Sequence, residues 1–245
     1  MDMRTLFVLA REAMRQKIAI YDMDRTVTRR PTYPPFLRYA ALRLAPWRLL
    51  LLPTVALVTL AYGLKLIDRA RLKEINFHLL IGRPTAAALG RVVERFADRQ
   101  VETNILPGAR ARLAADKAEG RRLVLATASY KLYAAAIARR LGFDDVIATD
   151  NLADPSGRIT ATIDGDNCYG LAKLDMIEAW LAREGLAREA VHVRFYSDHI
   201  SDSPAHRWAD EAFATNAHAR LIRLAEAEGW EVLDWRDRRR AARRT

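Results

Sequence analysis

The chain has 245 residues, of which 51% are hydrophobic and 29% charged, and its formal net charge is +10. This apolar content excludes disorder over most of the chain and suffices for one sizeable core with a smaller appended unit. Cys168 is the only cysteine, which excludes an internal disulfide, so we expect a reducing, cytoplasmic environment and no disulfide-stapled secreted fold. The apolar stretch near the N-terminus is too short for the core of a signal peptide.

The predicted elements alternate between strands and helices around one long helical block. Residues 17–22 form a short apolar run that ends on carboxylates, which is typical of a buried strand. Residues 34–102 keep helical spacing, with several prolines as interruptions. The remaining expectations, in chain order, are a helix to about 119, a strand at 122–127, a helix at 131–141, a short strand at 146–148, a polar turn before 158–163, a helix at 171–183, a strand at 191–196, a helix near 204, and short strands near 212 and 232 with a helix at 217–227 between them.

This order predicts an α/β fold, with a Rossmann-like parallel sheet that has helices on both faces and an all-helical cap inserted after the first strand. We expect residues 1–28 and 103–245 to form the catalytic core and residues 29–102 to form the cap. The cap contains an apolar segment with basic flanks at 47–67, and the chain ends in a basic tail at 236–245.

The net positive charge of the sequence comes from two segments. Residues 29–73 hold nine basic residues against one acidic residue, a net +8, and the last ten residues hold six arginines against one aspartate, a net +5. The first segment brackets residues 49–64, which carry no charge, and this pairing suggests an anionic membrane surface as a partner. The basic tail has no aromatic interleaving, so we expect no specific nucleic-acid partner.

Polar side chains of the kind that carry chemistry follow three predicted sheet strands. They are Asp22 and Asp24 after the first strand, Thr127 or Ser129 after the second, Lys173 at the start of a helix, and Asp198 and Asp202 after the third. Each piece alone is typical of a turn or a helix cap. Because ligands bind at the carboxyl ends of strands in open α/β sheets, the whole set in this order indicates one functional site.

This set resembles the motifs of the haloacid dehalogenase superfamily of phosphotransferases, and the inserted helices resemble the small cap of the branch that includes phosphoserine phosphatases. The resemblance implies a phosphomonoester substrate, Mg²⁺ as cofactor and an aspartyl-phosphate intermediate on Asp22. It implies the remaining roles as well: Asp24 as acid and base, Thr127 and Lys173 as ligands of the phosphoryl group, and Asp22, Asp198 and the backbone carbonyl of Asp24 as metal ligands. Asp202 is expected to orient either Lys173 or metal-bound water. The sequence departs from the family pattern at Arg25 and at the string Ser197-Asp198-His199.

The substrate is expected to carry a further anion. Phosphoserine phosphatases of this branch have a glutamate nine residues after the nucleophile, where this chain has Pro31 preceded by Arg29 and Arg30. This difference argues against phosphoserine, and it makes the two arginines candidate ligands of an additional phosphate.

The apolar segment suggests where that substrate is found. A single crossing of a membrane by this segment would separate Asp22 from the rest of the site, so we expect the segment to lie on the membrane surface, to dip into it and return, or to form the core of the cap. The layout resembles the phosphatidylglycerophosphatase C group of this branch, which implies a lipid phosphomonoester such as phosphatidylglycerol phosphate and a place on the cytoplasmic face of the inner membrane.

Two alternatives remain open at the level of sequence. One is a phosphatase of a soluble small metabolite, whose cap is apolar only for packing. The other is an interaction or regulatory protein on the membrane surface that retains a residual phosphatase fold. The oligomeric state is not predicted.

Overall fold

The structure is a computed structural model that describes residues 15–236. Its sheet contains seven strands in the spatial order β4-β3-β2-β1-β5-β6-β7. The strands are β1 Gln16–Tyr21, β2 Arg122–Tyr130, β3 Asp145–Ala153, β4 Ile159–Asp164, β5 Val191–Ser197, β6 Glu211–Thr215 and β7 Glu231–Leu233. All neighbouring pairs are parallel except β3 and β4. This arrangement confirms the predicted α/β fold.

Nine α-helices accompany the sheet within the described residues. They are α1 Tyr33–Leu44, α2 Leu52–Gly63, α3 Arg69–Leu80, α4 Ala86–Thr103, α5 Pro107–Ala118, α6 Lys131–Leu141, α7 Leu171–Arg183, α8 Ser203–Trp208 and α9 Ala219–Glu228. Helices α1 to α4 lie between β1 and β2 in the chain, where the sequence predicts the helical cap. The division into core and cap domains stays a prediction.

The chain leaves the sheet for α1 and returns after α4 along two adjacent paths. Thr28 and Ile105 form an antiparallel bridge, and the N–H of Arg29 donates to the carbonyl of Asn104 at 2.7 Å. The helical insertion therefore begins and ends at the same place, next to the end of β1.

Helix α4 shows how the sequence determines packing within the insertion. Thr85 caps its start by accepting a hydrogen bond from the N–H of Ala88. Its buried residues recur at helical spacing and are Leu89, Val92, Val93, Phe96, Ala97 and Gln100. This apolar face packs against α1 and α6, so α4 is anchored to the sheet through α6.

Helix α2 is different, because every one of its side chains is at least partly exposed. Leu57 and Leu60 are 66% and 58% exposed, and Leu50 in the preceding turn is 80% exposed. The helical segment Pro46–Gly63 is long and apolar enough to cross a membrane by length and composition alone, and its residues are not buried. The segment therefore does not form the core of the cap in this structure.

Arg48 links the apolar segment to the end of α3 by hydrogen bonds. The guanidinium of Arg48 donates to the carbonyls of His78 and Leu79 at 2.8 Å each, where α3 ends. Gly82 adopts a φ of +79° against this guanidinium, and a Cβ on Gly82 would lie 2.5 Å from it. The left-handed backbone favours glycine at this position, and a larger residue would also displace the Arg48 guanidinium.

Three boundaries differ from the sequence prediction. The apolar stretch at 47–67 is divided into a 3₁₀ turn, Pro46–Leu51, and α2, because Pro53 stands in the first turn of α2. Strand β2 runs on to Tyr130 through an irregularity in its pairing with β3. Strand β3 extends to Ala153 because β4 pairs with it in the antiparallel sense. The predicted tail at 236–245 lies outside the described residues except for Arg236.

Candidate active site

Three parallel strands bring the predicted side chains to one edge of the sheet. Strand β1 ends just before Asp22, Thr127 lies within β2, and β5 ends just before Asp198. Together they line a cavity of about 250 Å³. The predicted residues that line this cavity are Asp22, Asp24, Thr127, Lys173, Asp198 and Asp202.

Lys173 is the buried cation at the centre of the site. Its Nζ donates to Oδ1 of Asp22 at 2.8 Å and to Oδ2 of Asp202 at 2.6 Å. Burial disfavours the charged form of this lysine, but Asp202 and Asp22 together raise its pKa above the ordinary value. Burial alone would raise the pKa of Asp202, but the charge of Lys173 has the larger effect. The pKa of Asp202 is therefore below its ordinary value. The lysine is therefore charged and is held in place from two sides.

When both are ionised, the carboxylates of Asp22 and Asp198 carry more negative charge than the single Lys173 cation neutralises. Burial raises the pKa of Asp22 to about 6, against the opposing effect of Lys173. Burial, together with the neighbouring Asp22, raises the pKa of Asp198 to about 8. Among the described residues, no hydrogen-bond donor contacts the Asp198 carboxylate, although this residue is only 4% exposed. A buried carboxylate pair in this state calls for a further cation.

A divalent cation fits this pair by its chemistry. Within residues 15–236 no three Asp, Glu, His or Cys side chains form a metal-binding cluster. A cation would therefore take the carboxylates of Asp22 and Asp198 together with backbone and water oxygens. Mg²⁺ prefers such hard oxygen ligands and retains several waters when bound. The predicted contribution of the Asp24 backbone carbonyl is compatible with this set.

Asp24 is held by two hydroxyl groups. Its Oδ1 accepts from the N–H and the hydroxyl of Thr32 at 2.9 and 2.8 Å, and its Oδ2 accepts from the Ser129 hydroxyl at 3.0 Å. Burial raises the pKa of Asp24, against the opposing effect of these hydrogen bonds. Ser129 thus donates to Asp24, whereas Thr127 lines the cavity. The Thr127 Oγ1 accepts from the N–H of Ser129 at 3.1 Å, and its O–H has no acceptor among the described residues.

The turn between β1 and α1 fixes the spacing of the two aspartates. Arg25 has a φ of +63°, which is an unusual conformation for a side-chain-bearing residue. The side-chain amide of Asn216 donates to the carbonyls of Arg25 and Thr26 at 2.9 and 3.2 Å. The Thr26 hydroxyl accepts from the N–H of Asp198 at 3.0 Å. The turn is therefore secured to the ends of both β5 and β6.

Sequence reasoning did not assign several residues of the site. Thr32 and Asn216 carried no signal, because neither belongs to a recognisable motif. Arg69 lines the cavity from the start of α3, and its guanidinium lies 4.2 Å from the ring centre of Tyr169. A basic residue at the start of an inserted helix is a signal that could have identified it.

The remaining two predicted residues lie elsewhere. Arg29 and Arg30 do not line the cavity that contains Asp22. They line a neighbouring cavity of about 460 Å³, and Pro31 is shared by the walls of both. Because the backbone of these residues pairs with Asn104 at the end of α4, they are directed toward α1 and α4.

The geometry agrees with comparisons with known proteins. The family model of haloacid dehalogenase-like hydrolases matches residues 19–207, which is most of the chain. The chain belongs to this family. Phosphatases of this family, such as phosphoserine phosphatase, are generally dependent on Mg²⁺.

Individual proteins are similar to this chain in sequence or in fold. The protein called phosphoserine phosphatase SerB1 of Mycobacterium tuberculosis is 32% identical over 160 residues, which are 65% of this chain and 51% of the relative. The chain thus spans about half the length of that relative. A protein of unknown function from Bordetella pertussis has the same fold, with a TM-score of 0.80 at 24% identity, over 90% of this chain and 99% of that one. A substrate-bound phosphoserine phosphatase also shares the fold, with a TM-score of 0.60 at 17% identity, over 93% of this chain and 97% of that one.

Proposed function

We propose that this protein is a phosphomonoester hydrolase that works through an aspartyl-phosphate on Asp22. The observation that carries the proposal is the single cavity in which the Asp22 carboxylate, the Thr127 hydroxyl and the Lys173 ammonium meet at the ends of parallel strands. A phosphate monoester is an anion that repels a carboxylate nucleophile, so a site for this reaction must supply positive charge around the phosphoryl group. When bound, Mg²⁺ would supply part of that charge.

The residues then divide the work between two displacements. An Asp22 oxygen forms a bond to phosphorus while the bond from phosphorus to the leaving oxygen breaks, and Asp24 donates a proton to that oxygen. In the second displacement Asp24 accepts a proton from water, the water oxygen bonds to phosphorus, and the bond to Asp22 breaks. Lys173 and Thr127 bind the phosphoryl oxygens, and Asp202 keeps Lys173 in position.

We propose further that the substrate is a phosphomonoester of a membrane lipid, such as phosphatidylglycerol phosphate. The exposed leucines of the segment Pro46–Gly63 and the basic residues around it support a peripheral position on an anionic membrane. The active-site residues come from both sides of this segment in the chain, which favours a segment that lies on the membrane over one that crosses it. A peripheral position on the cytoplasmic face of the membrane is part of this proposal.

The cavity also favours a substrate without an ammonium group. Its lining adds Arg25 and Arg69 to Lys173, and its acidic residues within the described chain are the four aspartates of the site. Pro31, which lines the cavity, stands at the sequence position where phosphoserine phosphatases of the branch that this chain resembles have a glutamate.

The test compares substrates side by side. Phosphate release is measured with Mg²⁺ from phosphatidylglycerol phosphate in anionic mixed micelles, and from glycerol 3-phosphate and phosphoserine in solution, with Asp22→Asn as the blank. We expect a large preference for the lipid and loss of turnover in the variant by at least about a thousandfold. Substantial turnover by Asp22→Asn would refute the mechanism. Fast turnover of a soluble ester with none of the lipid would refute the lipid substrate alone.

A further inference from the structure

The cavity next to the active site is lined by five arginines and by no acidic residue of the described chain. It lies between α1 and α4, and it has a volume of about 460 Å³. The five residues, called the arginine pocket below, are Arg29, Arg30, Arg38, Arg43 and Arg99.

The charges of the arginine pocket have no counterions among the described residues. None of the five guanidinium groups forms an ion pair with a carboxylate of residues 15–236. Elsewhere many arginines are paired; Arg122, for example, binds Asp145 and Glu184, and Arg194 binds Asp116 and Glu211. Five unpaired guanidinium groups around one cavity create a strongly positive local potential.

The walls of the pocket are fixed by buried polar side chains. Asn104 accepts from the N–H of Arg30 at 3.0 Å, donates to the Arg30 carbonyl at 3.1 Å, and donates to the side-chain carbonyl of Gln100 at 2.7 Å. On the opposite wall the guanidinium of Arg43 lies 3.5 Å from the ring centre of Tyr39. The backbone of two arginines and the head group of a third are thus held before any ligand arrives.

The location connects the pocket with the two other features of this region. Pro31 belongs to the walls of both the pocket and the catalytic cavity. Leu42 lines the pocket, is 49% exposed, and precedes the exposed apolar segment by four residues. The pocket therefore lies beside the active site, at the base of the segment that we place on the membrane.

We propose that the arginine pocket is a second anion site, which binds a phosphate group outside the catalytic cavity. Each planar guanidinium group can donate two parallel hydrogen bonds to the oxygens of one phosphate. Several guanidinium groups around one cavity therefore suit a phosphate dianion or a phosphodiester. The phosphate belongs either to a lipid headgroup or to a soluble phosphate compound. The inference goes beyond the proposed reaction, because binding in this pocket requires no turnover.

The test measures binding in an Asp22→Asn background, so that no ligand is consumed. The two probes are inorganic pyrophosphate and vesicles of phosphatidylcholine with 30% phosphatidic acid. The pocket variant is Arg38→Ala with Arg99→Ala. The matched control is Arg91→Ala with Arg95→Ala, which removes two exposed arginines of α4 that do not line the pocket.

We expect the control to weaken vesicle binding by about fivefold per charge, because each surface charge attracts anionic lipid. The pocket variant should weaken binding by a further factor of about ten or more, because charge-assisted hydrogen bonds are lost in addition. Loss with both probes shows that a phosphate group alone suffices. Loss with vesicles only assigns the site to a lipid headgroup, and loss with pyrophosphate only assigns it to a soluble phosphate compound.

Equal effects of the pocket variant and the control with both probes would overturn the proposal, since surface charge alone would then explain the binding. Melting temperatures of both variants establish that they fold. Should the pocket variant fail to fold, Arg38→Lys with Arg99→Lys retains the charge and loses the paired hydrogen bonds. A loss of binding by that variant beyond the loss in the Arg91 and Arg95 lysine control supports the proposal, and equal binding by the two overturns it. Failure of the pocket test leaves phosphate release by the wild type unaffected, so the two proposals fail separately.

Discussion

The catalytic cavity and the helical region at 29–66 both contain many functional groups, but the surroundings of these groups are opposite. In the cavity, Lys173 is buried between Asp22 and Asp202, and the Asp24 carboxylate is held by hydroxyl groups. In the helical region the arginines have no carboxylate partners within residues 15–236, and the leucines of the apolar segment are exposed. The charged side chains of the catalytic cavity are contacted largely by other side chains of the same protein. The second region presents charge and apolar surface that a partner outside the chain would cover.

Two helices of the insertion show that apolar content and the spacing of apolar residues have different consequences for burial. Helices α2 and α4 both belong to the insertion, and α2 is the more apolar of the two. Helix α4 nevertheless buries Leu89, Val92 and Val93, because they recur on one face, whereas the apolar residues of α2 surround the whole helix. A uniformly apolar helix with no buried face is typical of contact with lipid.

The largest effect on stability is expected at Lys173. Lys173→Met removes the shared cation and leaves the Asp22 and Asp202 carboxylates buried without a positively charged partner, which should lower the free energy of unfolding by about 3–5 kcal/mol. Lys131→Met is the matched control, since Lys131 forms an exposed ion pair with Asp150. The control should cost no more than about 1 kcal/mol. Urea denaturation of the two variants measures the contrast, and equal losses would show that the cavity is not held together by Lys173.

The second prediction compares leucines in the two helices. Leu89→Ala in α4 removes a buried side chain and should cost about 2–5 kcal/mol. Leu57→Ala in α2 removes an exposed side chain and should change stability by less than about 0.5 kcal/mol. Thermal or urea unfolding in the absence of lipid tests both. A large loss in Leu57→Ala would show that α2 is covered by protein in solution.

The third prediction concerns Lys73, which is the buried basic residue of the segment 29–73. Its Nζ donates to the carbonyl of Ala128 at 2.6 Å and to the side chain of Asn167 at 2.8 Å. Burial, with the nearby Arg69, lowers the pKa of Lys73 to about 7. The folded chain therefore releases this proton at a lower pH than the unfolded chain, whose lysine has a pKa of about 10.4.

Its effect on stability has a definite sign. Between about pH 7 and pH 10.4 the unfolded state binds more protons at this site, so the wild type should gain stability over Lys73→Met as the pH rises through this window, by up to about 1.4 kcal/mol per pH unit. Below pH 7 the difference between the two proteins should be constant. Urea denaturation at several pH values measures it, and a difference that stays flat from pH 7 to 10 would contradict the assignment.

Much of the fold could be predicted from the sequence, because strand and helix periods alternate clearly and the strand ends carry polar residues. The convergence of Asp22, Thr127 and Asp198 followed from one rule, that parallel strands end at the same edge of a sheet. The anchoring of Asp24 by Thr32 could not be predicted, since it depends on how the chain turns after β1. The location of Arg29 and Arg30 depended likewise on the backbone pairing with Asn104, which no local pattern indicates. The exposure of α2 was left open by the sequence, because an apolar run is compatible with both core and surface.

The most direct test of the central claim separates catalysis from the surface that we assign to the membrane. Leu57→Asp with Leu60→Asp places two charges in the exposed apolar segment, and Leu152→Asp with Val232→Asp, at exposed positions of the sheet, is the matched control. Phosphate release is measured for each protein from para-nitrophenyl phosphate in solution and from phosphatidylglycerol phosphate in anionic vesicles. We predict that the segment variant keeps its turnover in solution and loses at least about tenfold with the lipid, while the control keeps both. Equal retention of both activities by the segment variant would contradict the claim that this region holds the enzyme at a lipid surface.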